Sequence, residues 1–431
     1  MDTTALFAIG KIALALCFMI TAICRGVTLW LALFLGGTLL ALLFGIMPPA
    51  FIGIIGGMVV DPSFITIFFA VTCILILSEI QGHSGQGQRL ALGLTPYMRS
   101  PRARLVFFPA LMGILPMPGG AIFSCPLVRE VARGYTLTNR QLVLINYWFR
   151  HIWESACPLY PGYILACALG NIPPSQLWRY ALPFVIISFL TGWFFLFRDP
   201  IEKDLAHPAP AVEKRPLPSV LLDALPMVVA VAAAPLYSAL FAFFGETLPN
   251  GASFIFSFLT ASAIAIVQTK TSVLTVAKLM VGRSVIRMLL LMVMIFLFKE
   301  IVIAANVVDA LARIITHPSA ILVLFLLLPV IIGSLTGMMM GFVGTCFPLL
   351  IALLEQTGNY EERLCWILLA LAAGHFGQMV SPMHSCFLVT IEYFRTPLAK
   401  VWGETITMSS VQIVLTISYV AALYLTVNPL F

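Results

Sequence analysis

Twice in this chain a histidine and a proline stand at the same spacing inside an apolar run long enough to cross a bilayer. His151 to Pro158 reads H-I-W-E-S-A-C-P, and His375 to Pro382 reads H-F-G-Q-M-V-S-P. Interrupting a lipid-embedded helix is expensive, because each freed N–H or C=O must find a partner where no water can supply one. Two further anchors keep the register. Glu79-Ile80 is matched by Glu300-Ile301, and P-M-P-G-G-A-I-F-S-C-P from Pro116 to Pro126 by the glycine-dotted stretch from Gly333 to Pro348. The offsets are 221 for the glutamates, 222 for Pro126 and Pro348, and 224 for the histidines. Three anchors in order with so little drift point to an internal duplication.

Composition fixes the solvent of the fold. Of 431 residues 61% are apolar and 10% charged, against about 25% charged in an ordinary soluble domain. Apolar stretches of about 20 residues, each enough to cross about 30 Å of hydrocarbon as a helix, recur along the chain. The fold class is therefore an all-α polytopic membrane protein with no soluble domain. The first run, Leu6 to Cys24, has no basic leader and holds Lys11, so it reads as a retained span and not a cleaved signal. Nine cysteines are scattered through apolar segments without a C-x-x-C. They read as packing residues, and neither a metal site nor a disulfide framework is expected.

About ten spans are expected, near residues 5–24, 27–46, 62–80, 141–169, 177–197, 219–243, 251–269, 284–304, 363–391 and 405–427. The segments 104–130 and 320–354 are apolar at both ends and broken by Gly or Pro between, which suits re-entrant hairpins of two short helices. Each half, 1–197 and 219–431, then crosses five times, and an odd count inverts the second half relative to the first. With both termini outside, eighteen basic residues fall on the cytoplasmic side and four outside, Arg179, Lys299, Arg313 and Arg363. That bias matches the positive-inside rule for a cytoplasmic membrane. Residues 198–218, with five prolines and eight charges, are a cytoplasmic linker. The arginine-rich stretch Arg89 to Arg104 reads as an amphipathic segment on the cytoplasmic face, not a nucleic-acid patch.

Candidate site residues gather at the interruptions. At a hairpin tip a half-helix begins, so its free N–H groups and positive dipole end favour an anion. Pro118, Gly119, Gly120 and Ser124 offer close backbone approach and a hydroxyl in the first hairpin, and Gly341, Gly344 and Thr345 match them in the second. Arg150, His151 and Glu154 lie in one broken span, and His375, Gln378, Ser381 and His384 in the other. Ionisable groups at that depth cost at least ~2.5 kcal/mol, so they pair or face a polar path. His151 and Glu154 are one turn apart and can hydrogen-bond. Histidine suits a coupling proton, while Arg150 is either a counter-charge for a substrate or a partner for Glu154. By offset Glu154 corresponds to Gln378 and Tyr160 to His384, so the two half-sites differ chemically.

These residues resemble a known group. Inverted halves with a hairpin, a broken span and a final span resemble the ion transporter superfamily of elevator carriers, which includes gluconate, citrate and dicarboxylate transporters. The motifs P-M-P-G-G-A-I-F-S at Pro116 to Ser124 and G-H-F-G-Q-M-V-S-P-M-H at Gly374 to His384 look most like its integral membrane family called domain of unknown function 401. The resemblance implies a substrate held between hairpin tips and helix breaks, and a transport domain sliding against a homodimeric scaffold. The Ser-Asn-Thr tips that hold sodium in the dicarboxylate branch are absent, which favours H+ over Na+ as coupling ion. A secondary transporter of a small organic anion, needing no cofactor, is the leading expectation. The alternatives are a sodium-coupled carrier of the same fold, an intramembrane enzyme or a lipid-handling protein. No H-E-x-x-H and no G-x-x-x-x-G-K-[ST] occurs, which removes the zinc-protease mechanism and built-in ATP drive.

Overall fold

Helix ends in this chain trace to particular residues. The computed structural model describes residues 3–98, 100–114, 120–133, 135–198, 202, 214–244, 252–306, 318–357 and 362–427. The first half contains α1 (Thr3–Cys24), α2 (Leu29–Leu43), α3 (Pro48–Val60), α4 (Pro62–Ser84), α5 (Gln86–Leu94), α6 (Pro101–Ile114), α7 (Ala121–Ala132), α8 (Asn139–Arg150), α9 (Pro161–Leu169) and α10 (Pro174–Leu196). The second contains α11 (Leu217–Phe243), α12 (Ala252–Thr269), α13 (Val273–Met280), α14 (Arg283–Ala304), α15 (Pro318–Thr336), α16 (Met339–Thr357), α17 (Arg363–Val380), α18 (Ser385–Tyr393) and α19 (Trp402–Val427). Proline opens α3, α4, α9 and α10, where its missing N–H costs nothing. Thr138 and Gln141 cap each other at the start of α8. Left-handed residues end matching helices in both halves: Gly45 and Lys270, Gly85 and Asn306, Asn171 and Arg395, each pair 221 to 225 residues apart. Each releases the chain where a helix must stop.

Among the described residues, eight segments are long and apolar enough to cross a membrane. The two halves are interleaved. Helix α4 lies against α12 and α2 against α14, while α9 meets α16 and α7 meets α18. Helices α6 and α7 form one pair of arms and α15 and α16 another, lying along α8 and α17 respectively. The most apolar 18-residue stretches of Met339–Gln356 and Arg363–Tyr393 are each 83% buried, against 28% for those of Leu217–Phe243 and Trp402–Thr426. The second arm and the two broken spans are the most enclosed of the described elements. On the outer helices large apolar side chains such as Leu222, Val228, Phe194 and Leu425 stand exposed, a surface suited to lipid and not to water.

Two details depart from the sequence reading. Helices α3 and α13 fall where only loops are expected. At 13 and 8 residues they are too short to cross, and Asp61 and Ser272 cap the helix that follows each turn. The arms of the second hairpin are 19 residues each, not short, because Pro329 and Pro348 are absorbed inside them without ending either helix. Helix α5 is held to α11 through Asp223, which meets Arg215 at 3.1 Å and Arg89 at 3.9 Å.

Candidate functional site

Each broken span parts into two short helices. Helix α8 stops at Arg150 and α9 starts at Pro161, leaving residues 151–160 as break 1; α17 stops at Val380 and α18 starts at Ser385, leaving residues 381–384 as break 2. Break 1 holds the end of arm α6. A helix ends with unpaired carbonyls, and here Trp153 Nε1 donates to Ala110 O at 2.9 Å, Arg150 Nη1 to Met112 O at 3.2 Å, and Tyr160 Oη to Gly113 O. Break 2 does the same for arm α15: Ser381 Oγ donates to Ser334 O at 2.6 Å and accepts from Met383 N at 3.2 Å. Broken backbone is tolerated because protein supplies what lipid cannot.

The two breaks cross. Gln378 Nε2 donates to Glu154 Oε2, so residues that correspond between the halves touch. Glu154 Oε1 also lies 3.8 Å from His151 Nε2. The imidazoles of His151 and His384 meet edge to face, with centroids 4.5 Å apart. Tyr147 stands between the halves, its ring stacked on Phe387 at 4.3 Å and its hydroxyl donating to Met379 O at 2.9 Å. Asn146 Nδ2 donates to Thr390 Oγ1 at 3.1 Å, one turn further along. Arg150, His151, Glu154, Gln378, Ser381 and His384 are all buried. Unpaired charge at that depth would be prohibitive, and the Gln378 amide N–H is what satisfies Glu154, although Gln378 Oε1 and Asn146 Oδ1 are left without a partner.

Arg150 extends the site to the first hairpin. Its guanidinium lies so close to Gly120 that a Cβ there would collide with Nη2. Gly120 precedes the first turn of α7, which no side chain caps. A guanidinium and the positive end of a helix thus share one place, an arrangement that an anion would stabilise. Ser124, one turn on, is buried and bonds back to Ala121 O at 3.4 Å. Pro118 and Gly119 lie outside the described residues.

Other expected site residues stand apart. The second hairpin turns at Gly337, whose φ of +60° only glycine adopts without strain, and a Cβ there would sit 2.8 Å from His384 Cα. The tip that meets the breaks is therefore Gly337. Gly341, Gly344 and Thr345 belong to the first turns of α16, and the Cβ position of Gly344 is filled by Ile295 of α14. Thr345 faces an apolar cavity among α1, α2 and α14, lined by Ile12, Leu40 and Phe298. His375 does not join His151; it lines a small cavity with Ser155, Ser409, Gln412 and Thr416, in which Ser155 Oγ and Ser409 Oγ have no hydrogen-bond partner. A cleft of about 430 Å³ on the other face of break 1 is lined by apolar side chains including Leu182 and Met227, and suits no anion.

Sequence reasoning missed Tyr147, Asn146 and Cys386. Cys386 was read as packing, yet with His151 and His384 it forms the one group of three metal-ligating side chains within 4.8 Å among the described residues. Its signal was the run H-S-C at His384 to Cys386, directly after the second proline. Tyr147 lies one turn before His151 on α8 and gave no signal, since an aromatic residue in an apolar helix is ordinary.

Comparison with solved structures places the fold among membrane transporters. The YdaH transporter of Alcanivorax borkumensis superposes with a TM-score of 0.62 at 13% identity, over 89% of this chain and 90% of that one. MtrF of Neisseria gonorrhoeae, from a class of antimetabolite efflux pumps, superposes with a TM-score of 0.55 at 13% identity, over 86% and 84%. At such identities the likeness is one of fold. The comparison with curated proteins found no match. Residues 9–427 match the family described as protein of unknown function DUF401, and the chain belongs to that family of helical, multi-pass membrane proteins.

Proposed function

We propose that the chain is a secondary transporter of a small organic anion. The observation that carries this reading is the buried Arg150 guanidinium set against Gly120 at the uncapped start of α7, beside two crossing helix breaks. A carboxylate there would take two charge-assisted hydrogen bonds from arginine in a planar fork. Helix breaks near the middle of inverted halves are how carriers hold a substrate and coupling ion between two gates. On this reading the arms and broken spans form the moving body, and alternating access follows from its sliding, elevator fashion, against the outer helices of a homodimer. His375 is the coupling group: it lines a polar cavity beside Ser155 and Ser409, and no carboxylate is among the described residues that line that cavity.

A thermal-shift screen of mono- and dicarboxylates on the purified protein identifies the anion. Arg150→Gln should lower affinity for it by about 10- to 100-fold, the equivalent of a charge-assisted bond worth about 1.5–3 kcal/mol. His375→Gln should leave binding intact and abolish uptake driven by a proton gradient in proteoliposomes. A shift that survives Arg150→Gln unchanged would remove the anion reading. Uptake driven by sodium alone would remove the proton.

A further inference from the structure

The anion cradle at Arg150 leaves Cys386 without a task. One ring nitrogen each of His151 and His384 and the Cys386 Sγ lie within 4.8 Å of one another, and all three side chains are buried. We propose that these three, with the Glu154 carboxylate as fourth donor, bind one Zn2+ ion that clasps break 1 to break 2.

The nitrogens are already assigned by their partners. A carbonyl only accepts, so His151 Nδ1, 2.6 Å from Tyr147 O, carries the ring proton. The Tyr147 hydroxyl gives its proton to Met379 O and so accepts from His384 Nδ1 at 3.1 Å, with Gln378 O also 3.3 Å from that nitrogen. Each ring therefore keeps its lone pair on Nε2. Metal-binding histidines are fixed in this way, the other ring nitrogen donating to a carbonyl or similar outer group. One half of that outer arrangement comes from α8 and the other from α17.

Donor chemistry selects the ion. Two imidazoles, a thiolate and a carboxylate suit zinc, whereas Ca2+ and Mg2+ require oxygen donors throughout. Charge agrees: on binding, the Cys386 thiol releases its proton to solvent, and thiolate plus Glu154 carboxylate neutralise the divalent ion in a buried place. No oxidation or reduction is involved. Tetrahedral zinc holds its donors about 3.5 Å apart, and Glu154 Oε1 is 3.8 Å from His151 Nε2. The His151, His384 and Cys386 donor atoms lie within 4.8 Å of one another, about 1 Å wider than that spacing. The site does not depend on which solute the Arg150 cradle carries.

Full-length protein in detergent, washed with chelator, would be titrated with Co2+ as the spectroscopic probe and then with Zn2+ in competition. The expected result is one ion per chain, with tetrahedral cobalt bands and a thiolate-to-cobalt charge-transfer absorption that Zn2+ abolishes. Cys386→Ser should eliminate the charge-transfer absorption and, like His384→Gln, weaken Zn2+ by at least ~10-fold. Cys73→Ser, on α4, should change neither. No bound ion in the wild-type chain, cobalt bound without the thiolate absorption, or an absorption that survives Cys386→Ser would each overturn the proposal. If a variant aggregates on gel filtration, the wild-type titration decides by itself. The anion screen with Arg150→Gln reads a different group and stands or falls separately.

Discussion

At the scale of single residues, the buried carboxylate of Glu154 is the most exacting member of the site. Gln378 and His151 are its neighbours, one from each half of the chain. Removing the amide with Gln378→Leu leaves a buried carboxylate short of a donor, and should cost about 3–5 kcal/mol, read as a lower melting temperature in detergent. Glu154→Gln keeps a neutral hydrogen bond at the same place and should cost less than Gln378→Leu. Equal losses would mean that Glu154 is satisfied elsewhere. Trp153 and Tyr160 act through the carbonyls of α6, so Trp153→Phe and Tyr160→Phe should each cost about 1–3 kcal/mol by leaving a buried acceptor unpaired. Non-additive losses are expected in the double variant, since the two caps serve carbonyls only three residues apart at one helix end.

Elements meet at glycines, and there the backbone decides. Gly337 combines a left-handed φ with a backbone neighbour, His384, that cannot move aside. Gly337→Ala should therefore destabilise by about 1–3 kcal/mol and shift the arm from break 2, measurable as a lower melting temperature and faster amide exchange in α15. Gly120→Ala is a different test, because the atoms it meets belong to a side chain. The Arg150 guanidinium must swing away, so anion affinity should fall while the melting temperature changes little. A variant that melts early but binds normally would reverse that expectation. The sequence marked both hairpins through their Gly and Pro content, yet it centred the second on Gly341 to Thr345. Glycines that allow helices to approach closely, such as Gly344 against Ile295, look the same in a sequence as glycines that turn a chain.

For the whole molecule the inverted arrangement proposed for the two halves makes a prediction about sides. Arg133, after α7, and Gln356, near the end of α16, are exposed at the open ends of the two arm pairs. Only Cys17 and Cys24 among the cysteines are exposed, so both would be replaced by serine first. Single cysteines introduced as Arg133→Cys and Gln356→Cys should then react with an impermeant reagent from opposite faces of sealed vesicles. Reaction of both from one face would contradict the inversion. On the readings proposed above, metal and anion would meet such a molecule at its centre, where α8, α16 and α17 are most enclosed.

The sequence by itself determined the solvent of the fold, the positions of its long helices and the places where two of them break. Those properties are local: apolar length, proline, glycine and capping residues act within a turn or two of themselves. It also identified His151, Glu154, Gln378 and His384 as unusual, because a titratable or amide group in an apolar run is conspicuous wherever it points. Tertiary structure alone decided who meets whom. Gln378 reaches Glu154 across 224 residues of chain, Tyr147 reaches Met379 across 232, and His375 turns from its counterpart towards Ser155 and Ser409. Cys386 became a candidate ligand only when α18 crossed α8. A side chain's neighbours depend on the rotation of its helix and on the crossing of two breaks, and neither is encoded in spacing along one strand of sequence.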